Sequence, residues 1–514
     1  MVSSLHATSL GAGLALTASL LAGSGSGSGT EAPPEASSAP SRPNVLFIYM
    51  DDHAAQTIGA YGSRFGPTPN IDSLAADGLL FRNAFCTNSI CAPARAVVLT
   101  GKHSHVNGVP DNRSTFDGAQ ETFPKALQAA GYRTAMIGKW HLRSTPTGFD
   151  HYEVLRGQGP YYNPLLLTPD GQQRHRGYTT EVITDRALAF LEEAAASEQP
   201  WLLMYQHKAP HRNWQPGPNE VGLFDDVTFP EPPTLFDDYA TRNPGCATQE
   251  MSIATHLRDE YDLKLAPPPG LDEEQLTTWK AAYDPRNAAF HADPPTGDER
   301  TRWNYQRYTK DYMRCILGVD RQVGRVLEAL ERLELSDDTL VIYTSDQGFY
   351  LGEHGWYDKR WMYEESLRFP LIARWPGVIE PGTESEELVV NLDFAATFLE
   401  LAGVPDAMTT QGRSLVPLLE GEAPTDWRED LYYRYYEVGE HAVPPHFGLR
   451  TATHKLIEFP DSGFTELFDL QADPHEVQNL AGDPAQAELL GRLQARVRAR
   501  AAELGDALPE DVGD

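Results

Sequence analysis

The sequence of 514 residues predicts an α/β fold, and three patterns support this prediction. Short apolar runs typical of buried strands alternate with longer amphipathic segments. A hydrophobic content of 41% is enough to build one large core and a smaller one. Polar residues of catalytic types follow four of the apolar runs almost at once. Because ligands collect beyond the carboxyl ends of the strands in open α/β sheets, we expect these polar residues to meet at one edge of a sheet.

Four short apolar runs are the predicted central strands. Their nearly continuous apolar character is typical of strands that are buried on both faces. They occupy residues 45–50, 134–138, 201–205 and 340–344. The polar groups that follow them are Asp51 and Asp52, Lys139 and His141, Lys208 and His211, and Asp346 and Gln347.

Longer segments complete the prediction. Apolar side chains recur at helical spacing between residues 305 and 335, which predicts a packed helix. Residues 215–299 are rich in Pro, Asp and Glu with weak periodicity, and we expect a long excursion that decorates the core. Near the C-terminus, residues 431–436, 448–451 and 453–459 are predicted strands, and residues 487–504 form a predicted amphipathic helix.

The first 42 residues differ in kind from the rest. An apolar run over residues 10–22 precedes Gly/Ser repeats and a segment rich in Pro, Ser and Ala, which predicts a signal peptide over 1–23 and a flexible linker over 24–42. The apolar run is too short to span a bilayer as a mature anchor. Ser24 stands where the lipidated cysteine of a lipoprotein would be. We therefore expect export to the periplasm or the exterior, with no lipid anchor and no membrane span.

Charge and cysteine content exclude other classes. A formal net charge of -31 excludes a nucleic-acid binder that works through a basic surface. The four cysteines are too few and too scattered for a disulfide framework, and none has the spacing of zinc ligands. They are Cys86, Cys91, Cys246 and Cys315.

One motif stands out from the rest of the chain. Cys91-Ala92-Pro93-Ala94-Arg95 is followed by Leu99-Thr100-Gly101. Cys-x-Pro-x-Arg is the pattern on which cysteines are oxidised to formylglycine, and with four cysteines in the chain it is not expected to arise by chance. A buried cysteine in a turn made by Pro93 is the alternative explanation.

Each polar group also has an ordinary structural explanation when it is considered alone. Asp51 and Asp52 are compatible with a helix cap or a turn, and Asp346 with a turn that ends at Gly348. His141 and His211 are compatible with buried structural histidines. These explanations would all have to hold together, whereas one active site accounts for the whole set.

Through these motifs, the chain resembles formylglycine-dependent sulfatases of the alkaline phosphatase superfamily over about residues 43–483. The resemblance implies an alkaline-phosphatase-like large mixed sheet flanked by helices, with a smaller α+β C-terminal domain. It places the catalytic domain at 43–420, the small domain at 421–505 and an acidic tail at 506–514. The matching motifs are Met50-Asp51-Asp52, the Cys91 to Arg95 signature, Gly138-Lys139-Trp140-His141-Leu142, Ala209-Pro210-His211, Ser345-Asp346-Gln347-Gly348 and Gly352-Glu353-His354-Gly355.

The resemblance implies two cofactors. A formylglycine-generating enzyme would oxidise Cys91, and the hydrated aldehyde would attack the sulfate ester and form a sulfoenzyme intermediate. One Ca²⁺ would be held by Asp51, Asp52, Asp346 and Gln347, with the modified Cys91 completing its ligands. Such an all-oxygen set suits calcium. Gln347 stands where the family often has asparagine, and it still supplies an amide oxygen.

The remaining catalytic roles are also carried over from the family. Arg95 and Lys139 would stabilise the aldehyde hydrate and its alkoxide, and His141 would orient one hydroxyl. Lys359 and His211 would contact the sulfate. His211 is the expected general acid for the leaving alcohol.

Two segments indicate the substrate class. Residues 207–214 and 352–361 resemble glycan exosulfatases such as N-acetylglucosamine-6-sulfatases and iduronate-2-sulfatase-like enzymes. An exo-acting enzyme on a sulfated glycan is therefore expected, with 6-O-sulfated N-acetylglucosamine as one candidate. Aromatic faces stack on sugars and arginines bind anions, although the same aromatics could instead close the core. The predicted substrate-binding residues are Arg212, Trp214, His354, Arg360, Trp361 and His446.

Three alternatives stay open at this point. One is a phosphate or phosphonate ester hydrolase on the same fold. Another is a noncatalytic protein that binds sulfated glycans and keeps Cys91 unmodified. The last is a structural export protein in which the polar groups are incidental.

Overall fold

The computed structural model describes residues 42–509 of the chain, all of which belong to one of its two units, Pro40–Asp514. The predicted signal peptide, the linker up to residue 41 and the tail from residue 510 lie outside the described residues. Between residues 42 and 509, no helix is long and apolar enough to cross a membrane.

The strands of the described chain are mostly short, and the longest ones carry the predicted central runs. In chain order they are β1 (Asn44–Asp51), β2 (Leu79–Phe81), β3 (Ala84–Phe85), β4 (Arg133–Lys139), β5 (His151–Leu155), β6 (Leu165–Thr168), β7 (Gly171–Arg174), β8 (Trp201–Pro210), β9 (Thr339–Ser345), β10 (Tyr350–Leu351), β11 (Tyr357–Asp358), β12 (Leu371–Arg374), β13 (Thr383–Ser385), β14 (Val389–Val390), β15 (Asp430–Tyr435), β16 (His446–Thr451), β17 (His454–Phe459) and β18 (Phe464–Asp469).

The helices range from single turns to one of 36 residues. In chain order they are α1 (Pro69–Ala76), α2 (Cys91–Thr100), α3 (Ser104–Asn107), α4 (Phe123–Ala129), α5 (Thr179–Ala194), α6 (Gly245–Thr248), α7 (Glu273–Ala292), α8 (Gly297–Arg332), α9 (Glu364–Leu367), α10 (Asp393–Leu401), α11 (Val416–Leu419) and α12 (Ala487–Leu504).

A ten-stranded mixed sheet forms the centre of the molecule, in the order β13-β2-β12-β9-β1-β8-β4-β5-β6-β7. The four predicted central runs are neighbouring strands, β9, β1, β8 and β4, and all four are parallel. Val45 of β1 stands opposite Leu202 of β8 and Leu340 of β9. The carboxyl ends of these strands therefore reach one edge of the sheet, and the predicted α/β class with a large mixed sheet is confirmed.

Helices cover both faces of this sheet because β1 is apolar on both sides. Phe47 points into one core, where its ring contacts Phe394 and Phe398 of α10. Ile48, the next residue, belongs to the opposite core, with side chains of α5 and α8. Alternating side chains of a strand face opposite ways, so a continuous apolar run requires a helical layer on each face.

The predicted helix over 305–335 is confirmed within α8, which begins at Gly297. The excursion over 215–299 contains a helix that the sequence analysis did not predict, α7 of 20 residues. A reciprocal cap starts it, because the Asp272 carboxylate accepts from the Gln275 backbone N–H and the Gln275 side chain accepts from the Asp272 N–H. Pro285 and a polar composition concealed its periodicity.

A second, four-stranded antiparallel sheet follows, in the order β15-β16-β17-β18. α12 packs on it through Leu493, Val497 and Ala501, as the predicted amphipathic helix requires. The Lys455 ammonium of β17 lies 2.9 Å from Glu364 and 2.7 Å from Glu476. This smaller α+β layer matches the predicted fold class, while the predicted boundary after residue 420 stays a prediction.

Gly138 permits the close approach of β4 and β8 beside Lys139. Its φ of +113° lies in the region that favours glycine, and a Cβ there would stand 1.7 Å from the carbonyl oxygen of Gln206. We expect Gly138→Ala to lower the free energy of unfolding by about 3 kcal/mol or more, because overpacking adds to backbone strain. Urea denaturation measures the loss.

Gly66→Ala is the matched control. Gly66 has a similar φ of +117°, and a Cβ at this position would have no atom within 4 Å. This variant therefore carries the backbone strain alone, about 1 kcal/mol. Equal losses in the two variants would contradict the close-approach argument.

Candidate active site

The carboxyl edge of the central sheet brings the predicted polar residues together. Asp51 ends β1, Lys139 ends β4 and Asp346 directly follows β9. His211 directly follows β8. Residues that are separated by up to about 300 positions thus meet because their strands are parallel neighbours.

Three carboxylates form a buried cluster at this edge. Oxygens of Asp51, Asp52 and Asp346 lie within 4.8 Å of one another, and none of the three residues is exposed to solvent. Burial, together with the charge of Asp51, raises the pKa of Asp346 to about 8. Burial also raises the pKa of Asp52 to about 6. Buried carboxylates packed so closely are the arrangement that a divalent cation stabilises.

Gln347 fits the same cation. Its side-chain N–H donates to Asp52, while its Oε1 atom is buried and has no hydrogen-bond partner among residues 42–509. An unsatisfied buried oxygen is costly unless a ligand contacts it. Three carboxylates and one amide oxygen form a hard donor set, so the residues present fit Ca²⁺.

Each carboxylate also has a basic partner. The Lys139 ammonium donates to Asp51, and the Lys359 ammonium donates to Asp52. The guanidinium of Arg95 lies 3.2 Å from Asp346. Burial alone would raise the pKa of Asp51, but Lys139 holds it well below its usual value. With all three carboxylates ionised, the three basic side chains match their charge before any metal ion is counted.

Cys91 is the first residue of α2 and is fully buried. Its sulfur lies within 4.8 Å of an Asp51 oxygen and a His211 ring nitrogen. Burial raises the pKa of the thiol well above its usual value, so the unmodified side chain is a poor nucleophile. Pro93 lies in the first helical turn rather than in a loop, and Arg95 lies one turn beyond Cys91.

Two histidines flank Cys91 and the carboxylates. The Nδ1 atom of His141 is buried, and no residue of the described chain forms a hydrogen bond with it. His211 has its Nδ1 atom 2.7 Å from the carbonyl oxygen of Arg212, which leaves its Nε2 atom free, 3.8 Å from Asp52. Burial lowers the pKa of both rings well below the usual value.

A cavity of about 400 Å³ opens beside His211. Arg212 also lines this cavity, with its guanidinium bound to both oxygens of Asp262 at 2.7 and 2.6 Å. Tyr261, which is 43% exposed, stands at its rim. The sequence analysis did not assign Lys208, which lines the same wall. Lys208 could have been noticed in the sequence, because it follows an apolar strand in a chain that has only nine lysines.

Three predicted substrate-binding residues lie in the core instead of this cavity. Trp214 is fully buried against Tyr308. Trp361 is stacked between Trp356 and His446 at centroid distances of 5.4 and 5.8 Å. Neither the tryptophans nor His446, which is 1% exposed, offers an open ring face to a sugar. The physical reason is that aromatic clusters seal the sheet edge, which the sequence analysis kept as an alternative.

The other two predicted residues have charged partners. Arg360 donates to Asp358, which also accepts from His441 at 3.1 Å, directly beside Lys359. His354 is fully buried in a separate charged cluster. Its Nδ1 atom lies 3.0 Å from Asp237.

Comparison with known proteins adds independent findings. A family model described as sulfatase matches residues 43–404, and one described as the C-terminal part of N-sulphoglucosamine sulphohydrolase matches residues 352–503. N-acetylglucosamine-6-O-sulfatase of Bacteroides thetaiotaomicron is 46% identical over 473 residues, which cover 87% of this chain and 84% of that protein. N-acetylglucosamine-6-sulfatase of Homo sapiens is 27% identical over 518 residues, with 89% and 84% covered.

A solved structure gives the same relationship in three dimensions. It is described as a complex with its substrate, D-glucosamine-2-N,6-O-disulfate. It matches with a TM-score of 0.89 and 43% sequence identity, covering 92% of this chain and 100% of that chain.

The charged surroundings of His354 predict a pH-dependent stability. Burial alone would lower the pKa of His354, but the hydrogen bond to Asp237 and the Glu365 carboxylate, 3.7 Å from Nε2, outweigh burial and raise the pKa to about 9. A raised pKa stabilises the fold fully below pH 6.5, and this contribution is lost as the pH rises through about 9. The loss is about 3 kcal/mol, which a decline in apparent Tm between pH 7 and 9.5 measures.

His354→Gln should flatten that decline. His446→Gln is the control, because burial lowers the pKa of His446 to about 4 and its titration is complete below pH 7. A decline of unchanged slope in His354→Gln would show that another group causes it.

Proposed function

The chain belongs to the sulfatase family and is a sulfuric ester hydrolase, and on this premise we propose that it removes the 6-O-sulfate of glucosamine residues in a sulfated glycan. The observation that carries this proposal is the extensive identity with the bacterial N-acetylglucosamine-6-O-sulfatase. The similar structure described with a 6-O-sulfated glucosamine supports it. The proposal also includes export of the protein, which the sequence of residues 1–23 predicts. It further includes action at the end of the glycan chain.

The proposal includes two groups that the site residues fit. Cys91, oxidised to formylglycine, would supply a geminal hydroxyl as the nucleophile. A Ca²⁺ ion held by Asp51, Asp52, Asp346 and Gln347 would offset charge on the sulfate oxygens. The support for the ion is the buried carboxylate cluster and the unsatisfied amide oxygen.

The protein's own side chains would bind the ester and move its protons. Lys139 and Lys359 each provide an ammonium at the carboxylate cluster, where an anionic sulfate gains from fixed positive charge. His141 would accept a hydrogen bond at Nδ1 and orient the nucleophile. Because Nδ1–H of His211 donates to the carbonyl oxygen of Arg212, Nε2 would take up the proton that the attacking hydroxyl loses and, as the imidazolium, give it to the departing 6-oxygen in the cavity that the ring lines. Arg95 would hold Asp346 in position.

Sulfate release from N-acetylglucosamine-6-sulfate tests the function. The protein, produced with a formylglycine-generating enzyme, is expected to release sulfate over many turnovers. Cys91→Ser should lower sustained turnover by roughly a thousandfold or more, because serine lacks the second hydroxyl that allows sulfate to leave. Cys86→Ser, at another fully buried cysteine, should retain turnover.

Mass analysis of the tryptic peptide 83–95, in the presence of a thiol alkylator, accompanies the assay. An aldehyde that resists alkylation supports the mechanism. An ordinary alkylated thiol, with a control sulfatase fully converted, would contradict it and favour a binding protein. Faster turnover of aryl phosphates than of any sulfate ester would instead favour a phosphoesterase.

Calcium should stabilise the folded protein. At a calcium concentration a hundredfold above Kd, the gain is about 2.7 kcal/mol, which a rise in apparent Tm over the chelator-treated protein reports. Asp346→Asn should lose both the calcium response and the activity. Asp320→Asn changes a buried carboxylate outside the site, which binds Asn70, and should keep the calcium response. An equal calcium response in Asp346→Asn would place the ion elsewhere.

A further inference from the structure

Lys208 is a buried cation whose charge the catalytic residues do not use. It lies near the end of β8, is 5% exposed and lines the cavity that His211 borders. Among the residues between 42 and 509, its ammonium has no hydrogen-bond or ion-pair partner, and it lies 4.8 Å from the centre of the Tyr161 ring. Burial lowers the pKa of this ammonium to about 8. A largely buried charge without a protein partner is costly, and an anion in the cavity that Lys208 lines would supply the opposite charge.

The other cations of the cavity wall are already bound. Arg212 forms its two hydrogen bonds with Asp262. The Lys264 ammonium donates to the carbonyl oxygens of Asn213 and Asp262, at 2.5 and 2.8 Å. Glu260 also lines the cavity, but it is exposed at the rim and has no ion pair with Lys208. The wall therefore holds one uncompensated positive charge within the described chain.

Tyr161 fixes this charge relative to the catalytic residues. Its hydroxyl donates to the carbonyl oxygen of His211 at 2.5 Å, while its ring supports the Lys208 ammonium. Tyr161 is itself 2% exposed and belongs to the core. An anion bound to Lys208 would therefore lie at a fixed distance from the His211 ring. Two substituents of one sugar ring are also held at a fixed distance from each other.

We propose that Lys208 binds a second anionic group of the substrate, distinct from the sulfate that is removed. This inference rests on the proposed function. The shared chemistry is an oxyanion on or next to the 6-O-sulfated glucosamine, in a cavity of about 400 Å³ that accommodates a sugar. Its source is either an N-sulfo group on the same ring or the carboxylate of an adjoining uronic acid. The sulfate that is removed would be bound by Lys139 and Lys359 at the carboxylate cluster, so it does not require Lys208.

Three substrates separate these sources. They are N-acetylglucosamine-6-sulfate, glucosamine-2-N,6-O-disulfate and a disaccharide that joins a uronic acid to N-acetylglucosamine-6-sulfate. We expect Lys208→Met to lower kcat/KM by roughly 10- to 100-fold for a substrate with the second anion, as loss of a charged hydrogen bond does. Its effect on N-acetylglucosamine-6-sulfate should stay within about threefold. Lys208→Arg should restore most of the difference.

The pattern of losses decides the proposal. A loss confined to the disulfate assigns the N-sulfo group, and a loss confined to the disaccharide assigns the carboxylate. Equal losses on all three substrates, or no loss on any, would overturn the proposal. Lys264→Met, which removes a paired cation from the same wall, should affect all three substrates equally. Apparent Tm and the aldehyde content of peptide 83–95 show whether Lys208→Met has folded and matured.

Calorimetry with glucosamine-2-N-sulfate and with the uronic acid disaccharide lacking 6-sulfate makes the test independent of turnover. Wild type should bind at least one of them tenfold more tightly than Lys208→Met, even if the 6-O-sulfatase assay fails. Equal binding by both proteins would overturn the Lys208 proposal and leave the proposed function intact.

Discussion

Charge compensation around three buried carboxylates is the constraint on which the rest of the structure depends. Asp51, Asp52 and Asp346 each face at least one basic side chain. Those partners come from three different segments: the end of β4, the residue after β11 and the second turn of α2. Removing one member of a buried pair costs several kcal/mol. The carboxylates are therefore stable only if the central strands are parallel and the segment after β11 returns to the same edge of the sheet.

This local balance explains how a strongly acidic protein can bind an anion. The net charge of -31 repels anions at long range, but salt screens exposed charges beyond about 8 Å. Within the site, the carboxylates are matched by cations, so a bound divalent ion would leave a positive excess. Lys208 adds a further uncompensated charge to the adjoining wall. The protein thus attracts an anionic ester only within the few ångströms of the site.

Much of the fold and the proximity of the three carboxylates and Cys91 could be predicted from the sequence, because strand ends and the Cys91 motif are local patterns. The roles of Trp214 and Trp361 could not, since a tryptophan that closes a core and one that stacks on a sugar have the same local sequence. α7 was missed because Pro285 and a polar surface weaken its period. The missing partner of Lys208 depends on which acidic groups the fold brings near it, and no sequence spacing encodes that.

The burial of Cys91 sets an order of events in the life of the molecule. Cys91 has no exposed surface in the folded chain, so the active site of another enzyme cannot enclose its side chain there. If Cys91 is oxidised as proposed, the oxidation would have to precede the packing of α2. A chain that folds first would then keep its thiol and have no nucleophile. The active fraction of a preparation would be fixed during synthesis, and longer incubation of the folded protein with a maturation enzyme would not increase it.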